Sequence, residues 1–158
     1  MKRILFSLTI LLLVSGCTDD LLFSTPSLQG KLNNNFVWRA SAFSATVVSD
    51  TINIKGYNGN NSLQIMIPAT SIGNYGLSSS SFASVSFMQD GLTYSTLNNG
   101  SSGLGQLSDG LIELIEYNAE ERYVSGEFWF TAYSSNGDYS ANFTIGRIFK
   151  VPIATPIP

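Results

Sequence analysis

The sequence predicts an all-β protein, an antiparallel β-sandwich of about eight to nine strands or, as an alternative, a small β-barrel. Apolar and polar residues alternate in several short segments, which is typical of strands with one buried face. Residues that favour turns, mainly Asn, Gly and Ser, separate most of these segments. No segment has a sustained helical period, and many short strands with turns between them are typical of sandwiches and barrels.

A first hairpin is predicted from two alternating segments, Thr51–Lys55 and Leu63–Ile67. Between them lies Tyr57–Asn61, whose Asn58-Gly59 pair can adopt the positive φ angles of a tight turn. Four shorter strands are predicted from similar but briefer patterns: Asn35–Arg39, Ser44–Val48, Ser84–Met88 and Leu92–Thr96. Trp38 follows Phe36 at period two, so we expect Trp38 to enter the core.

A second hairpin is predicted from Leu111–Tyr117 and Tyr123–Tyr133, joined by a polar connection. Alternate residues of its second strand are predicted to enter the core: Val124, Gly126, Phe128, Phe130 and Ala132. The others should lie on the opposite face: Ser125, Glu127, Trp129, Thr131 and Tyr133. After a turn at Asn136-Gly137, Tyr139–Phe149 forms the last strand, and Phe143 and Ile145 are expected to continue the buried layer.

The amino terminus has the three parts of a bacterial lipoprotein signal peptide. Lys2 and Arg3 precede an apolar stretch, Ile4–Val14, and small residues lead to Cys17. The stretch is shorter than the roughly 20 apolar residues of a spanning helix. We therefore expect removal of residues 1–16 and lipidation of Cys17 with acyl chains such as palmitate, which anchor by hydrophobic transfer into a membrane leaflet. The alternative is an ordinary cleaved signal.

The rest of the chain is predicted to hold one domain. Residues 17–30, which include Pro26, should form a lipidated tether, and residues 31–150 a single β domain of ordinary size. Residues 151–158 carry three prolines that oppose a regular ladder, so they are expected to form a C-terminal tail.

Two short motifs bear on location and modification. The pair Asp19-Asp20 directly follows Cys17 and resembles the export signal of Bacteroidetes lipoproteins. It predicts an outer-membrane protein exposed at the cell surface, whereas a plain acidic linker would leave the protein facing the periplasm. Asp50-Thr51-Ile52 resembles the site at which Bacteroidetes attach glycans, which marks Thr51 as a glycosylation candidate.

The net charge and the numbers of histidine and cysteine residues exclude several functions. Without Lys2 and Arg3 the chain keeps six cations against eleven acids, a formal charge of −5, and the cations form no run. Nucleic acid is therefore not expected as a partner. The chain has no histidine and one cysteine, which is committed to lipid, so Ser-His and Cys-His catalysis, thiol catalysis and Cys/His zinc sites are excluded. No cofactor is expected.

Carboxylate chemistry is the surviving catalytic alternative. Glycosidases use two facing carboxylates, for which Glu113, Glu116 and Glu127 are candidates. The odd spacing of Glu113 and Glu116 predicts opposite faces of one strand, which favours solvated charges over a catalytic pair. Oxygen ligands for calcium could come from Asp138 with Asn136, or from Asp109.

Binding is the favoured activity. Trp129, Tyr133, Thr131 and Glu127 are predicted to share one strand face, where exposed aromatic residues suit sugar rings or a protein partner. The alternative is that a second sheet or a loop covers this face and makes the aromatic residues structural.

Four segments resemble a family of uncharacterised Bacteroidetes lipoproteins with an all-β domain: Phe36–Ala40, Ile72–Leu77, Ser125–Phe130 and Phe143–Phe149. The family has no established activity to transfer. We therefore expect a membrane-anchored envelope lipoprotein that acts as a non-catalytic binding or structural module. The alternatives are a carbohydrate-active enzyme and an accessory subunit of a surface assembly, which would have an open strand edge.

Overall fold

A computed structural model describes residues 25–101 and 106–154. They form eleven strands in one curled antiparallel sheet, consistent with a sandwich or barrel-like fold, so the all-β prediction is confirmed. The strands are β1 (Ser27–Leu32), β2 (Phe36–Arg39), β3 (Ala42–Val48), β4 (Thr51–Asn58), β5 (Asn61–Ile67), β6 (Gly73–Leu77), β7 (Ser84–Gln89), β8 (Leu92–Ser95), β9 (Asp109–Asn118), β10 (Tyr123–Ser134) and β11 (Ser140–Pro152). The described residues contain no helix that is long and apolar enough to cross a bilayer.

The sheet has two halves that meet at β10. The main path runs β2-β1-β11-β10-β8-β7-β5-β4-β3, and β9 pairs with β10 along most of its length while β6 pairs with β9. We call β6-β9-β10-β11-β1-β2 the first half and β8-β7-β5-β4-β3 the second half. An isolated bridge between Ala45 and Ile153 brings β3 back towards the end of β11, which curls the sheet.

The inner faces of the two halves enclose an aromatic core. Phe143 in β11 lies 5.0 Å, centroid to centroid, from Phe87 in β7 and from Phe130 in β10. Trp38 in β2 makes edge contacts with both Phe87 and Phe143, so the expectation that Trp38 is buried is confirmed. These contacts join strands that are distant in the sequence, and edge-to-face and offset ring pairs stabilise such a core beyond the area that they bury.

Both predicted hairpins are present, β4-β5 and β9-β10. Gly59 turns β4 into β5 with a φ of 56°, and Arg122, with a φ of 60°, lies in the turn from β9 to β10. The turn predicted at Asn136-Gly137 joins β10 to β11, and Gly137 has a φ of 76°. The predicted core set of β10 is buried: Val124, Gly126, Phe128, Phe130 and Ala132.

The strand count exceeds the prediction because two strands carry little sequence signal. β6 contains Gly73-Asn74-Tyr75-Gly76 and lacks alternation of large apolar residues. β1 begins at Ser27 and continues through Gly30, inside the segment predicted as tether. Its residues pair with β2 on one side and β11 on the other, so the fold begins before residue 31.

The carboxyl end of the fold also differs from the predicted boundary at residue 150. β11 continues to Pro152, and the Ala154 N–H donates to the Ala45 carbonyl oxygen at 2.8 Å. Proline is tolerated here because it ends the strand, where no further ladder donor is required.

Candidate functional site

Six polar side chains lie in register across the outer face of the first half. Each is the direct antiparallel partner of the next, so their side chains emerge on the same face. In strand order from β2 to β6 they are Arg39, Gln29, Arg147, Glu127, Glu113 and Asn74. We call this set the polar row. At about 4.8 Å per strand spacing, it extends for about 24 Å.

Neighbouring groups in the polar row bind one another. Arg39 Nε donates to Gln29 Oε1 at 2.7 Å, and Arg147 Nη1 forms an ion pair with Glu127 Oε1 at 2.6 Å. The side chains of Arg147 and Glu127 are 47% and 43% exposed, so the pair adds at most about 1 kcal/mol to stability. Glu113 stands directly opposite Glu127, which places two like charges side by side. Arg147 offsets this repulsion from the other side of Glu127.

Exposed apolar side chains border the polar row. Trp129 is 42% exposed, Ile145 71% and Val37 74%. Trp129 pairs with Leu111, and Leu111 pairs with Gly76, which has no side chain to cover either of them. The indole ring therefore lies beside carboxylates and a cation on an open face.

Ile145 reaches this face because β11 contains a bulge. Phe128 pairs with Gly146 and Phe130 with Phe143, so two residues of β11 lie opposite Trp129 alone. Ile145 has a φ of 51°, a conformation that is unusual for a β-branched residue. The prediction that Ile145 continues the buried layer is wrong, since the extra residue reverses the alternation, whereas Phe143 is buried as expected.

Two shallow grooves meet at Ile145. The first encloses about 360 Å³ between Gln29, Gly30, Lys31, Val37, Arg39, Ile145 and Arg147. The second encloses about 200 Å³ between Leu111, Glu113, Glu127, Phe128, Trp129, Ile145 and Gly146. The charged residues of the first groove are all cationic, and those of the second are all acidic. We call them the basic groove and the acidic groove.

The predicted binding set is only partly brought together. Glu127 and Trp129 line the acidic groove. Thr131 is half-buried, and its Oγ1 accepts a hydrogen bond from Asn142 Nδ2 at 2.8 Å. Because this bond joins β10 to β11, we assign Thr131 a structural role.

Tyr133 is 1% exposed, so at this position the alternative holds in which a loop covers the face and the tyrosine is structural. Its hydroxyl donates to Gln106 Oε1 at 2.9 Å, and Gly100 packs against its ring. Asn98 Nδ2 donates to the Tyr133 carbonyl oxygen at 3.0 Å. Loop residues that follow β8 and precede β9 thus cover this end of the face.

A second bulge moves Glu116. Ser125 pairs with Glu116 and Gly126 with Leu114, so Ile115 is an extra residue in β9. Glu113 and Glu116 therefore lie on the same face, and the prediction of opposite faces is wrong. Glu116 Oε1 accepts a hydrogen bond from the Tyr123 hydroxyl at 2.5 Å, which, together with lesser effects of burial and nearby charge, raises the pKa of Tyr123 above its ordinary value.

The calcium candidates take part in turn hydrogen bonds. Asn136 Nδ2 donates to Asp138 Oδ2 at 2.6 Å, and Asp109 Oδ1 accepts from the Gly110 N–H at 2.8 Å. The described residues contain no group of three or more acidic, histidine or cysteine side chains that could hold a metal ion.

The glycosylation candidate lies in the hairpin between β3 and β4. Asp50 is exposed in the turn with a φ of 64°, while Thr51 is half-buried and pairs with Val48. Its modification stays a prediction. Cys17, Asp19 and Asp20 lie outside the described residues.

Sequence reasoning missed most of the polar row and the basic groove. Arg39, Gln29, Arg147 and Asn74 come from four different strands, two of which were not predicted. Only the register across the strands reveals that they form a line, and single-segment periodicity carries no such information.

Two family models match the chain. Residues 1–18 match the prokaryotic membrane lipoprotein lipid attachment site, so the protein is lipid-anchored and membrane-associated. Residues 24–152 match a domain of unknown function, DUF6252. No curated protein and no solved structure matches the chain. Because the second match spans the described fold almost from end to end, the chain belongs to the DUF6252 family.

Proposed function

We propose that this lipoprotein is a non-catalytic binding module of the cell envelope, and that the outer face of its first half contacts a glycan or a protein ligand. The observation that carries the proposal is the polar row, six strands wide, beside the exposed indole of Trp129. A flat apolar ring flanked by hydrogen-bonding side chains suits recognition of an extended ligand.

The same face gives less support to hydrolysis. Glu113 and Glu127 are facing carboxylates on adjacent strands, but the acidic groove that they line is shallow. Glu127 is also held by Arg147, so its Oε1 is already engaged in an ion pair. We therefore assign the two carboxylates to ligand contacts.

Binding by Trp129 is the first test of this proposal. Trp129→Ala should lower retention of envelope glycans or proteins on the immobilised lipoprotein about tenfold or more, because stacking on the indole is lost. Tyr57→Ala is the matched control, since Tyr57 is 48% exposed but lies on β4 in the second half. Equal loss in both variants, or no loss in either, would contradict a ligand site at Trp129.

We further propose that the protein is exposed at the surface of an outer membrane, as the Asp19-Asp20 pair after Cys17 indicates. Protease or antibody labelling of intact cells should detect the wild type, while Cys17→Ala is released from the membrane and Asp19→Ala/Asp20→Ala stays membrane-bound but shielded. Cell lysis is the control that exposes all three proteins. A wild type that is membrane-bound but labelled only after lysis would instead place it facing the periplasm.

A second candidate is an accessory subunit of a surface assembly. It is favoured by β2, an edge strand with Phe36 69% and Val37 74% exposed. An open edge with exposed apolar side chains is suited to pairing with a strand of a partner.

A further inference from the structure

The cations of this acidic protein are unevenly placed. Three of the six that remain after Lys2 and Arg3, namely Lys31, Arg39 and Arg147, line the basic groove, and no carboxylate lines it with them. Arg147 forms an ion pair with Glu127 of the acidic groove. Neither Lys31 nor Arg39 forms an ion pair within the described part of the chain. An anion entering this groove would meet two cations that lack a carboxylate partner.

We propose that the basic groove binds the carboxylate or sulfate groups of an acidic glycan, whose neutral rings continue over Trp129 into the acidic groove. This inference rests on the proposed function and specifies its ligand. The guanidinium of Arg39 is held by Gln29, which leaves its terminal nitrogens to form paired hydrogen bonds with an oxyanion.

The acidic groove selects a glycan over an acidic peptide. Glu113 and Glu127 would repel a second anionic side chain, but their oxygens accept hydrogen bonds from sugar hydroxyls. Peptide recognition by strand addition is also disfavoured at this place. Between its two ends in β2 and β6, the polar row crosses β1, β11, β10 and β9, each of which is paired on both sides, so recognition along this stretch depends on side chains.

The spacing of the two grooves fits one chain-like ligand. Both grooves are lined by Ile145, so a ligand can pass from one to the other over a single apolar ridge. An acidic group in the basic groove and a ring on Trp129 are then separated by the width of about two strands, about 10 Å. A repeating glycan presents both groups at intervals of this order.

The test uses the mature lipoprotein in detergent micelles and four polymers. They are hyaluronan, in which acidic and neutral rings alternate; its fully methyl-esterified form; kappa-carrageenan, in which sulfated and neutral rings alternate; and poly-glutamate. We expect hyaluronan or the carrageenan to bind, and the methyl ester, which keeps the rings but lacks the charge, to bind about tenfold or more weakly than hyaluronan. Raising the salt from 50 to 500 mM should weaken the interaction, since exposed charges are screened.

Variants locate the charge contact. Arg39→Gln and Lys31→Gln should each weaken binding of the acidic polymer about tenfold, while Lys55→Gln, an exposed lysine on β4, leaves it unchanged. Thermal unfolding of each variant verifies that the fold is retained. The proposal is overturned if no acidic glycan binds, if the methyl ester binds as tightly as the acid, or if poly-glutamate binds as tightly as the glycan. If Arg39→Gln and Lys31→Gln bind the acidic polymer as tightly as the wild type while Trp129→Ala still loses ligand binding, this inference fails and the proposed function stands.

Discussion

Replacing Phe143 with alanine is expected to lower the free energy of unfolding by about 3–5 kcal/mol, a large share of the total of about 5–15 kcal/mol that is typical of a domain. Phe143 is fully buried and contacts the rings of Trp38, Phe87, Phe128 and Phe130. Its removal leaves a cavity between the two halves that surrounding strands cannot fill, because each is fixed by its ladder. Chemical denaturation followed by tryptophan fluorescence measures the loss.

Phe36→Ala is the matched control for this prediction. Phe36 is 69% exposed on edge strand β2, so its truncation should change the unfolding free energy by no more than about 0.5 kcal/mol. Phe143→Leu keeps the measurement possible if the alanine variant does not fold, and should cost about 1–1.5 kcal/mol. Similar losses for Phe36→Ala and Phe143→Ala would argue against a core centred on Phe143.

Replacing Gly126 with alanine should have the next largest effect, a loss of about 3 kcal/mol. A Cβ at this position would overlap the carbonyl oxygen of Glu113, which belongs to the backbone and cannot rotate away. Relief requires β9 to move from β10, which displaces Glu113 from the polar row. The same variant should therefore lose both stability and ligand binding, measured by thermal unfolding and polymer retention.

Gly76→Ala is the control for the glycine prediction. Gly76 also lies in a strand, β6, but no atom lies within 4 Å of a Cβ built there. Its stability should change by no more than about 0.5 kcal/mol. A destabilisation as large as that of Gly126→Ala would mean that loss of glycine, not overlap with Glu113, is responsible.

Alternation in the sequence predicted those parts of the fold where one face of a strand is buried. β4, β5 and β10 have this pattern, and the inward residues of β10 are the predicted ones. β1 lacked a usable signal because Pro26 and Gly30 resemble a linker. Its burial comes from pairing with β11, more than a hundred residues later in the chain.

The candidate site was predictable only in part because bulges and loops alter the strand faces. Trp129 and Glu127 were identified by period alone, since no bulge interrupts β10 itself. Ile145 and Glu116 change faces through one extra residue in β11 and β9, and nothing local in the sequence marks these insertions. Tyr133 is covered by Asn98, Gly100 and Gln106, and these contacts are also non-local.

The start of β1 at Ser27 limits how far the proposed ligand face can stand from the lipid. Ser27 lies ten residues after Cys17, so the reach of the connection is at most about 33–36 Å. Neighbouring copies thus hold their grooves in one thin layer above the membrane. A polymer that spans several copies dissociates only when all of its contacts open together, and such avidity can exceed single-site affinity by about 10²–10⁴. Under the proposed function, each shallow groove therefore needs only weak individual affinity to retain a long glycan at the membrane.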